Sequence, residues 1–252
     1  MTLPPLFSER SSRVNRRRAR NLWLSMSLGV LATAAPVSHG ADTIASGDSL
    51  PALACRFESH LTLRGERSRE HTAQWSLWRQ ADRVEVHDLT GESGRVWELN
   101  PKGQVTYQQI FHHGKRIIEY TPGNLRALDA NPEWLTVATL VDPALLIGQL
   151  QLRGEETVLG RTAQRYEGRV NNRAVEVVWL VQEKIPALVR QVSPDREEVL
   201  RLHALYPLSE SPWPRPQWGN YIRFDSADLG DIQSDPFLRS LRSATRAPGH
   251  TH

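Results

Sequence analysis

Nine histidines and a single cysteine are the side chains with which this 252-residue chain would hold a metal or attack an electrophile. Their spacing favours neither use. Only His112-His113 and His250-x-His252 lie close together. Neighbours on a strand point to opposite faces, so His112 and His113 reach one ion only across a bulge or a turn. His250 and His252 offer weak copper or zinc binding, or simply a loose end of chain. Asp225, Asp228, Asp231 and Asp235 gather oxygens around Gly230, but they miss the alternating positions of an EF-hand loop. Capping by Asp235 ahead of Pro236, with ordinary solvated turns, accounts for them more simply. No Gly-x-Ser-x-Gly elbow and no glycine-rich phosphate loop occurs, and Cys55 has no convincing histidine partner. The sequence assigns no catalytic residue, no metal and no cofactor.

What the chain offers instead is apolar surface. Trp75, Trp78, Trp97, Trp134 and Trp179 are each explained singly as core packing. Together they point to a space between sheet and helices that does not close. On that reading Trp75, Trp97, Tyr107, Trp134, Leu146 and Trp179 line a cavity for a lipid, a lipidated peptide or an apolar segment. Affinity comes from apolar burial, at about 0.8 kcal/mol per methylene. A second surface is the stiff extended run Ser211-Pro212-Trp213-Pro214-Arg215-Pro216, which loses little entropy on binding. There Trp213, Trp218, Asp228 and Asp231 form a docking surface for an envelope protein partner.

The elements that must position these residues follow from periodicity. Phe57, Ser59, Leu61 and Leu63 share one face while Glu58, His60, Thr62 and Arg64 share the other, which marks a half-buried strand. Strand patterns joined by short polar turns continue to Tyr120, and an antiparallel meander is the simplest topology for them. Residues 132–150 then form an apolar helical stretch. Asn131 is its cap, Pro132 its first residue, and Trp134, Val137, Ala138 and Val141 its stripe. Asp142-Pro143 repeats the signal and starts a second short helix through Leu145, Leu146, Ile147 and Leu150. Asn171-Asn172 predicts a tight hairpin between two later strands, and strand patterns run on to Leu205. The fold class expected is α+β: a curved antiparallel sheet, an open half-barrel, with the central helices packed on its concave face.

Compartment is written at the N-terminus. Six arginines and one acid, Glu9, fall in residues 1–40, all ahead of a mostly apolar run at 22–35, and a small-residue region follows, ending in Ser38-His39-Gly40-Ala41. This is the layout of a signal peptide cleaved after Gly40 and implies a periplasmic protein, with an uncleaved anchor or a twin-arginine route as alternatives. The apolar run is shorter than the roughly 20 residues a membrane span needs, so no stable span remains after cleavage. The chain's formal charge of +3 becomes slightly acidic once that segment is gone, which removes any argument for a nucleic-acid partner. Cys55 stands alone, so no internal disulfide forms; it is a free or buried thiol, or an acylation site displaced from the apolar run. The expected domains are a signal peptide at 1–40, a flexible lead-in at 41–55, a half-barrel at 56–206, a Pro/Trp-rich and acidic extension at 207–243, and a disordered tail at 244–252.

Residues 57–205 resemble the periplasmic lipoprotein-carrier and sensor superfamily, the LolA-like and RseB-like half-barrels. The resemblance rests on Val177-Val178-Trp179-Leu180 followed by Lys184-Ile185-Pro186, and on residues 83–89, Gly91 and Arg95-Val96-Trp97. It implies an open barrel whose concave side, lidded by the central helices, accepts acyl chains or an apolar peptide. The extension at 206–241 has no counterpart in that family pattern.

Overall fold

The computed structural model describes residues 50–65, 68–230, 235 and 237. The signal peptide with its cleavage site at Gly40, Asp231, His250, His252 and the tail at 244–252 lie outside the described residues.

The first six strands are β1 (Leu53–Leu63), β2 (Arg69–Arg79), β3 (Arg83–Asp88), β4 (Ser93–Leu99), β5 (Val105–Phe111) and β6 (Arg116–Tyr120). Three short helices follow: α1 (Pro122–Ala127), α2 (Trp134–Thr139) and α3 (Pro143–Gly148). Then come β7 (Leu150–Val158), β8 (Arg161–Val170), β9 (Arg173–Leu180), β10 (Ile185–Val192), β11 (Arg196–Pro207) and, after a 3-10 turn, β12 (Ile222–Asp225). All belong to one open sheet in the order β12-β6-β5-β4-β3-β2-β1-β11-β10-β9-β8-β7. Two meanders meet at β1, which pairs with both β2 and β11. Among the described residues every pair is antiparallel except one: β12 runs parallel to β6, with Ile222 opposite Arg116. That pair departs from the purely antiparallel expectation.

Local chemistry explains the turns. Asn171 and Asn172 take φ values of 47° and 66°, the left-handed pair whose twist suits a two-residue hairpin. The Asp142 carboxylate accepts the Ala144 N–H at 2.9 Å and caps α3. The stretch at 132–150 is divided differently from its periodicity. Asn131 and Pro132 do not start α2; its N-cap is Glu133, without a side-chain bond, and its first residue is Trp134. Leu140 is left-handed and Asp142 extended, because the ring of Pro143 excludes helical backbone at the residue before it. Leu150, expected in the second helix, opens β7 instead. Helix α1, capped reciprocally by Thr121 and Asn124, is not anticipated, since Asn replaces the usual Glu or Gln of that box.

Two expected boundaries also shift. Leu53, Ala54 and Cys55, placed in a flexible lead-in, are buried residues of β1. The segment after Pro207 is not separate from the sheet: it crosses one face of it and ends as β12. The main core lies on the other face, where Phe57, Leu77, Val177, Leu180 and Ile185 pack with Val137 and Ala138 of α2 and Leu145 and Leu146 of α3. Burying each such side chain contributes about 1.5–3 kcal/mol.

Candidate functional site

A cavity of about 70 Å³ lies between α2 and the sheet. Strands β2 to β4 contribute Trp75, Val84, Val86, Arg95 and Trp97, strands β10 and β11 contribute Val189, Gln191 and Leu200, and α2 with the residue after it contributes Thr136, Val137 and Leu140. Strands β4 and β10 stand five places apart in the sheet, which would separate them by about 24 Å if it were flat. Both reach one small cavity, so the sheet bends around it.

Of the six residues expected around a ligand cavity, Trp75 and Trp97 stand in the wall of this small cavity. Trp75 stacks on Phe57 at 4.7 Å. Tyr107 lies directly opposite Trp97 across the β4–β5 pair, ring to ring at 5.2 Å, and continues the aromatic row to Tyr120 at 5.3 Å. It therefore stands behind the wall rather than in it. Leu146 and Trp179 are spent in the main core, and Trp134 packs against that core from its rim. The reason is register: each shares an apolar face with the cavity, but alternation gives the face and not the position along it.

Two arginines escape a reading by pattern. Arg95 lines the cavity. Arg79 is 0% exposed and spends its guanidinium on four carbonyls: Nε on Pro51 at 3.0 Å, Nη1 on Ala138 and Lys184, each at 2.9 Å, and Nη2 on Glu183. It thereby ties the start of the chain's first strand, the last turn of α2 and the β9–β10 turn together. Burial draws its pKa down to about 10, opposed by the charges of Cys55 and Glu183, so it remains a cation at neutral pH. The Cys55 thiol is fully buried and pushed up to about 12 by that burial, which removes it as a nucleophile and puts it out of reach of an acylating enzyme.

The expected docking residues lie on the opposite face. Trp213 sits 4.5 Å from the Arg56 guanidinium and 5.5 Å, edge on, from Tyr206. Trp218 lies 5.0 Å from the ring of His87 and packs on Val96, Ile110 and Ile117. Both rings are thus engaged with the chain's own sheet. Asp228 is exposed. Beneath this strap Arg83 bonds Glu85 at 2.6 Å, and a chain of contacts runs from His87 Nδ1 to His112 Nε2 at 3.1 Å and from His112 Nδ1 to Tyr221 Oη at 3.0 Å. A Cβ on Gly94 would fall 2.2 Å from the His87 ring, so the glycine makes room for it. His113 is exposed. Asp225 accepts the Ala227 N–H and Asp235 the Phe237 N–H, each at 2.8 Å, which is turn capping. Among the described residues no three metal-ligating side chains converge, and no helix is long and apolar enough to cross a membrane.

No family model and no curated protein matches the chain. Solved structures similar to it include PNGF-II, at 12% identity and a TM-score of 0.38 over 71% of this chain and 32% of that one. The MucA/MucB complex of Pseudomonas aeruginosa follows at 12% identity and a TM-score of 0.33, over 76% of this chain and 56% of that one. A LolA-superfamily protein of Nitrosomonas europaea matches at 10% identity and a TM-score of 0.26, over 66% of this chain and 88% of that one. This chain spans about a third of the length of PNGF-II and about half of the chain from the complex. At these identities and TM-scores, none of these structures assigns a family or a function to the chain.

Proposed function

We propose that this chain is a non-enzymatic periplasmic protein that holds an apolar guest between the sheet and α2, with α2 and α3 lying in the concavity as a lid. The observation that carries the reading is the cavity walled by Trp75, Val84, Trp97, Val137 and Leu140. Its size refines the guest. A dry cavity of roughly 150 Å³ admits benzene, so about half that volume receives the end of an acyl chain or one apolar side chain, while the rest of the guest lies outside. Docking of a protein partner through Trp213 and Trp218 requires both rings to leave their seats on Arg56 and His87, and so ranks second. Native mass spectrometry of protein purified from its own host is expected to reveal a co-purifying lipid or lipopeptide. A clean apo mass, with no uptake of added fatty acid or lipopeptide, would sink the carrier reading.

A further inference from the structure

We infer that the strap, residues 208–225, carries an acid-released flap: protonation of His87 and His112 unseats Trp218 and Tyr221 and bares the apolar sheet face they cover, while the helix side stays packed. This stands apart from the guest proposed for the cavity. The strap's backbone is bonded to the rest of the chain at its two ends, where the Leu208 N–H reaches the Ala52 carbonyl at 3.2 Å and the Ile222 N–H the Lys115 carbonyl at 3.1 Å. Between those ends side chains hold it, with Trp218 on the His87 ring and Tyr221 on the His112 ring. Pro212, Pro214 and Pro216 stiffen the stretch, so losing both ring seats frees it as one piece. The face beneath is Val96, Ile110 and Ile117.

The seats admit no extra proton without loss. His87 Nδ1 and His112 Nε2 stand 3.1 Å apart, a bond that needs one donor and one acceptor; two charged rings bring two donors. His112 Nδ1 is engaged with Tyr221 Oη at 3.0 Å, and His87 Nε2 is buried without a hydrogen-bond partner among the described residues. Neighbouring charges do not offset this. Asp88 favours a charged His87 and His112, but its carboxylate is spent on the Thr90 and Ser93 hydroxyls and the Glu92 and Ser93 amides. Arg83 opposes a charge on His87. Glu85 is held by Arg83 at 2.6 Å and faces the strap's Arg215 at 3.8 Å. Strand β2 offers Ser76 and Trp78 and β4 offers Gly94, all uncharged, and Glu92 and Lys115 bond His112 through backbone. Once the flap lifts, both rings meet water and take protons near pH 6.5; beneath it, burial holds His87 down to about 3 and His112 below its usual value. The closed form is therefore favoured above about pH 6.5, and below it the open form gains about tenfold per pH unit from His87 alone, with His112 adding to it.

The test follows the indole N–H resonances of the full chain by NMR from about pH 7.5 to 4.5. The Trp218 resonance is expected to move to the position of a solvent-exposed indole while those of Trp75 and Trp179 hold, with the open-to-closed ratio rising at least about tenfold per pH unit. His87→Phe keeps a ring under Trp218 and removes the main titrating group; His112→Gln keeps an amide toward His87 and removes the second charge. Each variant, shown to be folded by circular dichroism, is expected to release the flap at lower pH, and His112→Gln decides the matter if the Phe ring does not seat. An unchanged midpoint in the folded variants passes control to Glu85 and Arg215 and overturns the assignment to the imidazoles. Loss of the Trp75 and Trp179 resonances together with that of Trp218 makes the event global unfolding and overturns the flap. A Trp218 resonance that stays in place throughout overturns both.

Discussion

The two faces of the sheet are closed by different chemistry. On one, aliphatic and aromatic side chains of β1, β2 and β8 to β11 pack against α2 and α3 in a single buried cluster, pinned by Arg79. On the other, residues 208–225 cross β11, β1 and β3 to β6 on rings and charges: Trp213 on Arg56, Arg215 near Glu85, Trp218 on His87, and Tyr221 on His112. At and beneath that strap Trp78 Nε1, Glu85 Oε2, His87 Nε2 and Trp213 Nε1 are buried without a hydrogen-bond partner among the described residues. Each such atom costs about 1–3 kcal/mol. The helix side is therefore held by burial that acidity does not touch, whereas the strapped side is held conditionally.

Breaking the helix side is expected to produce the largest effect. Arg79→Ala leaves the Pro51, Ala138, Glu183 and Lys184 carbonyls without their donor and is expected to cost about 3–5 kcal/mol, read as a fall in the urea midpoint. A loss below 1 kcal/mol would mean that the pin is dispensable and that the two faces are equally soft.

Acid should find the other face first. His87 is 3% exposed, and burial, reinforced by the neighbouring charge of His112, lowers its pKa from 6.5 to about 3; Asp88 opposes and Arg83 assists. His112 is lowered as well, by burial first. In the unfolded chain both imidazoles take up protons near pH 6.5, and in the folded chain they resist until lower pH. Stability is thus complete above about pH 6.5 and falls as pH drops toward 3, by up to about 1.4 kcal/mol per pH unit for His87, with His112 acting in the same direction. His87→Phe is expected to flatten the urea midpoint between pH 7 and 4.5. An unchanged slope would move the acid sensitivity elsewhere.

The smallest effect belongs to the strap's outer anchor. Trp213→Ala removes the contacts with Arg56 and Tyr206, worth about 1 kcal/mol together. Hydrogen exchange should quicken in the strap and β12 while the β9–β10 hairpin stays protected; uniform quickening would merge the two faces into one cooperative unit.

What was legible in the sequence is what the chain decides locally. Asn171-Asn172 turns as its residue types require, Asp142-Pro143 caps and divides the helices, and the period-two pattern locates β1 and β9. Positions set by a distant neighbour were not legible. β12 is four residues long and gains its partner from Arg116 to Glu119, far upstream. His87 alternates with Val84 and Val86 and so reads as a solvent-facing residue until the strap is placed over it. Arg79 and Arg95 lie among tryptophans and valines, and alternation does not tell that one meets four carbonyls and the other a cavity. Trp75 and Trp97 were recognisable as wall residues; Trp134, Leu146 and Trp179 share their chemistry but not their place.

The single parallel pair has a consequence for how the molecule is made. Until residue 222 is available for pairing, β6 has an unpaired row of amides and carbonyls along one side, the kind of template on which a second nascent chain adds in register. The strap is made after strands β1 to β11, so the interval before its docking is when self-association competes with maturation, and a holdase that shields β6 until then would raise yield without altering the finished protein.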